Sequence, residues 1–206
     1  MPPLYNPTAT PASVAGVAYT ASLAYDEAIR AGDSPALGHG YYGWTFDPDV
    51  SQGATLLASA SGTLTLIRIR ALSTVITNAH LHFTAGGSGL TGVYGGLYSQ
   101  AGALLAGSQS LDRSTDWGSG GVKTVPLGAP QAVTAGAYYY FGFFVVGTTM
   151  PTISRSLNSS SAIVNVNLNA PNLRYATTAD VGLTNTLPAN FGAQTGMATA
   201  FWAAFS

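Results

Sequence analysis

From about residue 41 onward the hydrophobic positions recur with a period of two. In STVITNAHLHFTA, residues 73–85, Val75, Leu81 and Phe83 share one parity, while Asn78, His80 and His82 share the other. That pattern predicts a strand with one buried and one polar face. In GTLTLIRIRA, residues 62–71, Leu64 and Leu66 hold one parity and Ile67 and Ile69 the other. A phase change in mid-strand predicts a β-bulge, or a strand that passes from one packing partner to another. Residues 92–98 and 103–108 flank Ser-Gln-Ala-Gly and predict a hairpin. Further strands are predicted at 122–127, 138–146, 152–157, 162–169 and 198–205. Many short strands with turn signals between them predict an all-β fold, an antiparallel β-sandwich of jelly-roll or immunoglobulin-like type.

The stretch before this region reads differently. Residues 1–11 carry four prolines and predict an extended arm. Residues 13–30 form the one convincing short α-helix, with Thr10 as its cap, Pro11 at the first helical position and Gly32 beyond its end. Val14, Val17, Ala21, Ala24 and Ala28 lie on one stripe at three- and four-residue spacing. The stripe fits an oligomer seam, or a helix lying on its own domain or on a scaffold partner. The predicted organisation is an arm and helix for assembly over 1–38 and a sandwich domain over 39–206.

The most apolar run, AGAYYYFGFFVVG at 135–147, raises the question of a membrane span. Its core of nine residues is well short of the roughly 20 that a spanning helix needs. Gly and Pro border it on both sides, and an open strand leaves its backbone unpaired in lipid. The run predicts a strand buried on both faces, with Tyr138, Tyr140, Gly142 and Phe144 on one and Tyr139, Phe141, Phe143 and Val145 on the other. One face fills the core. A second layer, the N-terminal region or a neighbouring subunit must cover the other, and a neighbour is the expectation.

Charge sharpens that expectation. Only 7% of the 206 residues are charged, against roughly 25% in an ordinary soluble domain. Seven basic and eight acidic side chains give a net charge of -1, which excludes the broad basic face of a nucleic-acid binder and polybasic attraction to anionic lipid. With 47% hydrophobic and 11% aromatic residues the chain has enough apolar side chains to fold. Its surface is then built of Thr, Ser, Asn, Gly and Ala, which suits packing against copies of itself or within a large assembly. There is no cysteine, so disulfides and thiolate metal clusters are excluded. The opening MPPLYNPTATP lacks a basic region and a continuous apolar region, so no signal peptide is expected.

Candidate chemistry is sparse. His80 and His82 project from one strand face, as some metal sites begin, with His39 or an Asp as the missing ligand. Solvent-facing or interface histidines are the simpler reading. Asp47 and Asp49, like Asp112 and Asp116, sit in turn-like contexts where carboxylates cap their own backbone. No Gly-x-Ser-x-Gly elbow occurs, and the Gly-rich pieces lack the lysine of phosphate loops. No catalytic role, cofactor or metal is expected. Tyr42, Trp44 and Trp117 offer ring faces for a glycan or a subunit contact; the alternative is that they plug the ends of the sandwich.

Several motifs follow one another in a telling order: GWTFDP at 43–48, GTL at 62–64, IRIR at 67–70, VITNAHLH at 75–82 and GLYSQAGALLA at 96–106. Trp117, GVKTV at 121–125, VTAGAYY at 133–139, TTMPTISR at 148–155, LRYA at 173–176, LTNTLP at 183–188 and Phe201-Trp202 come next. Residues 40–206 thereby resemble the β-sandwich modules of minor tail or tail-fibre-like virion structural proteins of tailed phages of actinobacteria. The resemblance implies a non-enzymatic virion protein, assembled in the host cytoplasm and bound to other tail or capsid proteins. It also implies a protein that is often oligomeric and whose sandwich faces the host. With the helix stripe as a seam a homo-oligomer is expected, a trimer favoured, and the exposed aromatics make a host cell-surface glycan a candidate partner. Capsid decoration is the alternative location, and a carbohydrate-binding module the alternative class.

Overall fold

The computed structural model describes residues 35–56, 61–108, 117–156 and 161–206. The predicted arm, the helix over 13–30 with its stripe, and the pair Asp112 and Asp116 lie outside the described residues.

Two antiparallel sheets pack face to face. The first takes strands β1 (Gly43–Trp44), β2 (Ser51–Leu56), β4 (Val75–Ala85), β7 (Gly121–Ala132), β9 (Thr152–Ser156) and β12 (Ala203–Phe205). Its order is β1-β12-β4-β9-β2, with β7 on the other edge of β4. The second takes β3 (Thr65–Arg70), β5 (Gly92–Tyr98), β6 (Leu104–Gly107), β8 (Tyr138–Val146), β10 (Tyr175–Thr178) and β11 (Gln194–Gly196), in the order β11-β10-β3-β8-β5-β6. One helical turn, α1 (Pro35–Gly38), leads into β1, and a second, α2 (Ser161–Val164), follows β9. The all-β antiparallel sandwich expected from alternation is the observed fold. No described helix is long and apolar enough to cross a membrane.

β4 organises the first sheet. β7 runs along one edge, while the other is shared by β12, at Ala79, His80 and Leu81, and by β9, at Phe83 and Ala85. An irregularity between Ile76 and Asn78 reverses the parity midway. Ile76, not Val75, therefore joins Ala79, Leu81 and Phe83 in the core, and Val75 is 40% exposed. The expected alternation of β4 is corrected at that one residue.

β8 agrees with its expected bounds residue for residue. Phe141, Phe143 and Val145 fill the space between the sheets with Ile67, Ile69, Leu81, Phe83 and Trp117. Tyr140 and Phe144 point to the opposite side, where they join Leu64, Leu66 and Tyr98. The phase change of residues 62–71 has the same origin. β3 keeps an unbroken register with β8 from Thr65↔Phe143 to Arg70↔Tyr138, so no bulge is present, and each parity feeds a different apolar cluster.

The outer cluster is covered by the chain itself. Leu168 and Leu173, between α2 and β10, and Leu183, Leu187 and Phe191, between β10 and β11, lie over it. Tyr140 Oη donates to Pro171 O at 2.8 Å and Tyr98 Oη to Pro188 O at 3.1 Å, which satisfies the polar ends of rings that burial has removed from water. The expected neighbouring subunit over this face gives way to an intramolecular layer. The predicted strand over 162–169 is corrected as well. It opens with the helical turn α2, after which Asn165 turns inward: its amide donates to Tyr175 O and Met197 O, and its Oδ1 accepts from the N–H groups of Arg174 and Tyr175. An Asn side chain that takes over backbone partners in this way competes with a strand ladder.

Candidate functional site

On the outer side of β3, even-numbered positions change character midway. Leu64 and Leu66 are buried under the connections that flank β10, whereas Arg68 and Arg70 continue the same face beyond them. The face thus runs from an apolar layer into a cleft. Trp44, Arg68, Arg70, Tyr138, Leu168 and Arg174 line a cavity of about 550 Å³. Three of the chain's seven basic side chains meet there, and none of its described lining residues is acidic.

The main chain builds this arrangement. Tyr138 and Arg70 are register partners across β8 and β3, so their side chains leave the sheet together. β1 crosses close to the end of β3, with Leu72 N–H donating to Tyr42 O at 2.6 Å. Gly43 permits that crossing, because a Cβ there would fall on the Arg70 carbonyl oxygen. The crossing places Trp44 at the rim. Asn165 fixes the other wall by accepting from Arg174 N–H at 2.8 Å.

Each guanidinium is held by a backbone carbonyl: Arg68 donates to Asn172 O at 3.0 Å, Arg70 to Gly136 O at 3.1 Å, and Arg174 to Thr45 O. Arg68 also lies over the Tyr138 ring, 4.3 Å from its centroid, a cation–π contact. Its Nε–H is buried without a partner. A guanidinium carries five N–H donors in a planar fork, and each of these anchors engages one of them. The cleft is rich in fixed donors and positive charge and poor in acceptors, an arrangement that suits an anion with planar or tetrahedral oxygens.

The histidines are placed otherwise. His80 is only 8% exposed, with Nε2 at 2.8 Å from Ser206 Oγ, Nδ1 at 3.2 Å from Thr124 Oγ1 and its ring edge-on to Tyr41. Desolvation by burial lowers its pKa to about 4, so the ring is neutral at pH 7. It is not solvent-facing. His82 Nδ1 lies 2.5 Å from Ser154 Oγ. His82, His39, Tyr41 and Trp202 line a second cavity of about 340 Å³. Among the described residues no group of three metal-ligating side chains occurs.

Trp117 is 1% exposed and packs edge-on against Phe83 at 4.8 Å between centroids. Its ring plugs the core and is not offered to a glycan. Tyr42 is 39% exposed, and Trp44 lines the arginine cleft. Asp47 caps the 3-10 turn Pro48–Val50, accepting from Asp49 N–H at 2.9 Å, the turn chemistry expected of it. Of the core strand, Tyr140, Phe141, Phe143 and Phe144 are buried, Tyr139 is half-buried, and Tyr138 opens into the cleft.

Sequence reasoning missed the three arginines. The one local signal was the change from Leu to Arg on a single parity of β3. No family model matches the chain, and no curated protein matches it.

Proposed function

We propose that the chain is a non-enzymatic structural protein of a tailed-phage virion, a minor tail or tail-fibre protein with a role at the host surface. The order of motifs from GWTFDP to Phe201-Trp202 supports this reading. The observation that carries it is the self-sealing sandwich: both faces of β8 are covered by the same chain, giving a closed module of low charge. Such a module projects from a particle while the residues before Pro35 attach it, since an extended arm gives a small protein a large contact area.

Copy number in purified particles tests the location. Quantitative mass spectrometry should find a handful of copies per virion. Hundreds would move the protein to the capsid as a decoration protein, and none would overturn the virion reading. The carbohydrate-binding reading is supported by a separate observation, the aromatic and cationic cleft, and is compatible with a virion role.

A further inference from the structure

We propose that the cleft between Trp44 and Arg174 binds an acidic saccharide. In this site the sugar carboxylate or phosphate ester meets Arg70 and Arg174, and the apolar face of the ring lies against Trp44.

Three observations converge. First, the guanidiniums of Arg68, Arg70 and Arg174 are fixed by the carbonyls of Asn172, Gly136 and Thr45. Among the described lining residues there is no carboxylate; like charges gathered in this way raise each other's energy, and a bound anion relieves that cost. Carbonyl anchors keep the forks preorganised, which reduces the entropy lost on binding. Second, Trp44, Tyr138 and Leu168 supply apolar walls. A bare phosphate or sulfate needs none of these, whereas a sugar ring has an apolar face to bury. Third, the volume of about 550 Å³ falls within the roughly 300–1,000 Å³ of small-ligand clefts. It suits one or two rings rather than a long polymer track. A nucleic acid needs a row of phosphate contacts, and the net charge of -1 offers no such row beyond this concavity.

This assignment is independent of where the module is mounted: particle mass spectrometry tests the virion reading, and binding to purified protein tests the cleft. Isothermal titration of the full chain would use oligogalacturonate, a phosphorylated disaccharide, the neutral parent sugars and inorganic phosphate. At least one acidic sugar should bind at least tenfold more tightly than its neutral parent and than inorganic phosphate. The two acidic probes distinguish a carboxylate from a phosphate ester as the recognised group. Arg70→Gln, at an exposed position, should weaken that binding tenfold or more with an unchanged melting temperature, as expected for loss of a charge-assisted contact. Trp44→Ala should weaken the sugar but not inorganic phosphate. Raising salt should weaken the acidic sugar and leave any neutral binding unaffected. Equal affinity for acidic and neutral sugars, equal affinity for inorganic phosphate, no binding of either acidic probe, or no effect of Arg70→Gln would each overturn the assignment.

Discussion

At His80 the structure turns an apparent metal-site residue into a neutral buried hydrogen-bonding group. Its two ring nitrogens face the hydroxyls of Ser206 and Thr124, and the Tyr41 ring closes the remaining side. No charged partner is among these contacts, so desolvation alone sets the depressed pKa of about 4. Between pH 6.5 and 4 the unfolded chain takes up a proton at this ring that the folded chain refuses. Stability is therefore complete above the unfolded value and falls as pH drops through that window. An interval of about 2.5 pH units limits the loss to about 3 kcal/mol, at about 1.4 kcal/mol per unit. Urea denaturation at pH 7, 6 and 5 should show the midpoint falling with pH. His80→Gln should flatten that fall; an unchanged slope in the variant would assign the pH dependence elsewhere.

At the scale of elements, β3 and β8 are central because both their faces are apolar over part of their length. Gly142, at the middle of β8, shows how closely the outer layer is fitted. A Cβ there would lie 2.6 Å from Tyr98 Cε2 and 3.1 Å from Leu66 Cδ2. Tyr98 cannot swing aside freely, because it is buried and its hydroxyl is tied to Pro188 O. Replacing a strand glycine by alanine ordinarily gains up to about 1 kcal/mol through the unfolded chain. Overpacking at this site costs more, and Gly142→Ala should lower stability by about 1–3 kcal/mol, read as a shift of the denaturation midpoint at unchanged m-value.

The same elements separate what the sequence made legible from what it concealed. The aromatic run of β8 announced its bounds and both its faces, because alternation there is local and uninterrupted. Residues 162–169 misled, since Val164, Val166 and Leu168 alternate with asparagines as a half-buried strand would. The side chain of Asn165 decides the matter by bonding four backbone groups from residues 174, 175 and 197, which no periodicity encodes. The cleft was hidden for a related reason. Arg68 and Arg70 are local to β3, but Trp44 and Arg174 reach them only through the crossing of β1 and the return of the chain before β10.

For the whole molecule, the covering of β8 changes the argument about assembly. An apolar strand open on one side would have demanded a neighbour, and low surface charge would have allowed one. With Leu173, Leu183, Leu187 and Phe191 over that face, the sandwich loses its strongest reason to associate. The stripe Val14, Val17, Ala21, Ala24 and Ala28, outside the described residues, is the expected drive for an oligomer, since small apolar residues at three- and four-residue spacing suit a coiled-coil seam. The cut that isolates it belongs before Pro35, because Ala36 is fully buried and its carbonyl accepts from Tyr41 N–H at 2.8 Å. Light scattering should therefore find the full chain as a trimer and residues 35–206 as a monomer with a cooperative unfolding transition. Substituting Val17 and Ala21 by charged residues should also dissociate the full chain, while leaving the sandwich folded. A trimer that persists in residues 35–206 would instead place the interface on the sheets themselves, where Val122 at 51% exposure and Val75 at the end of β4 would be the first positions to test.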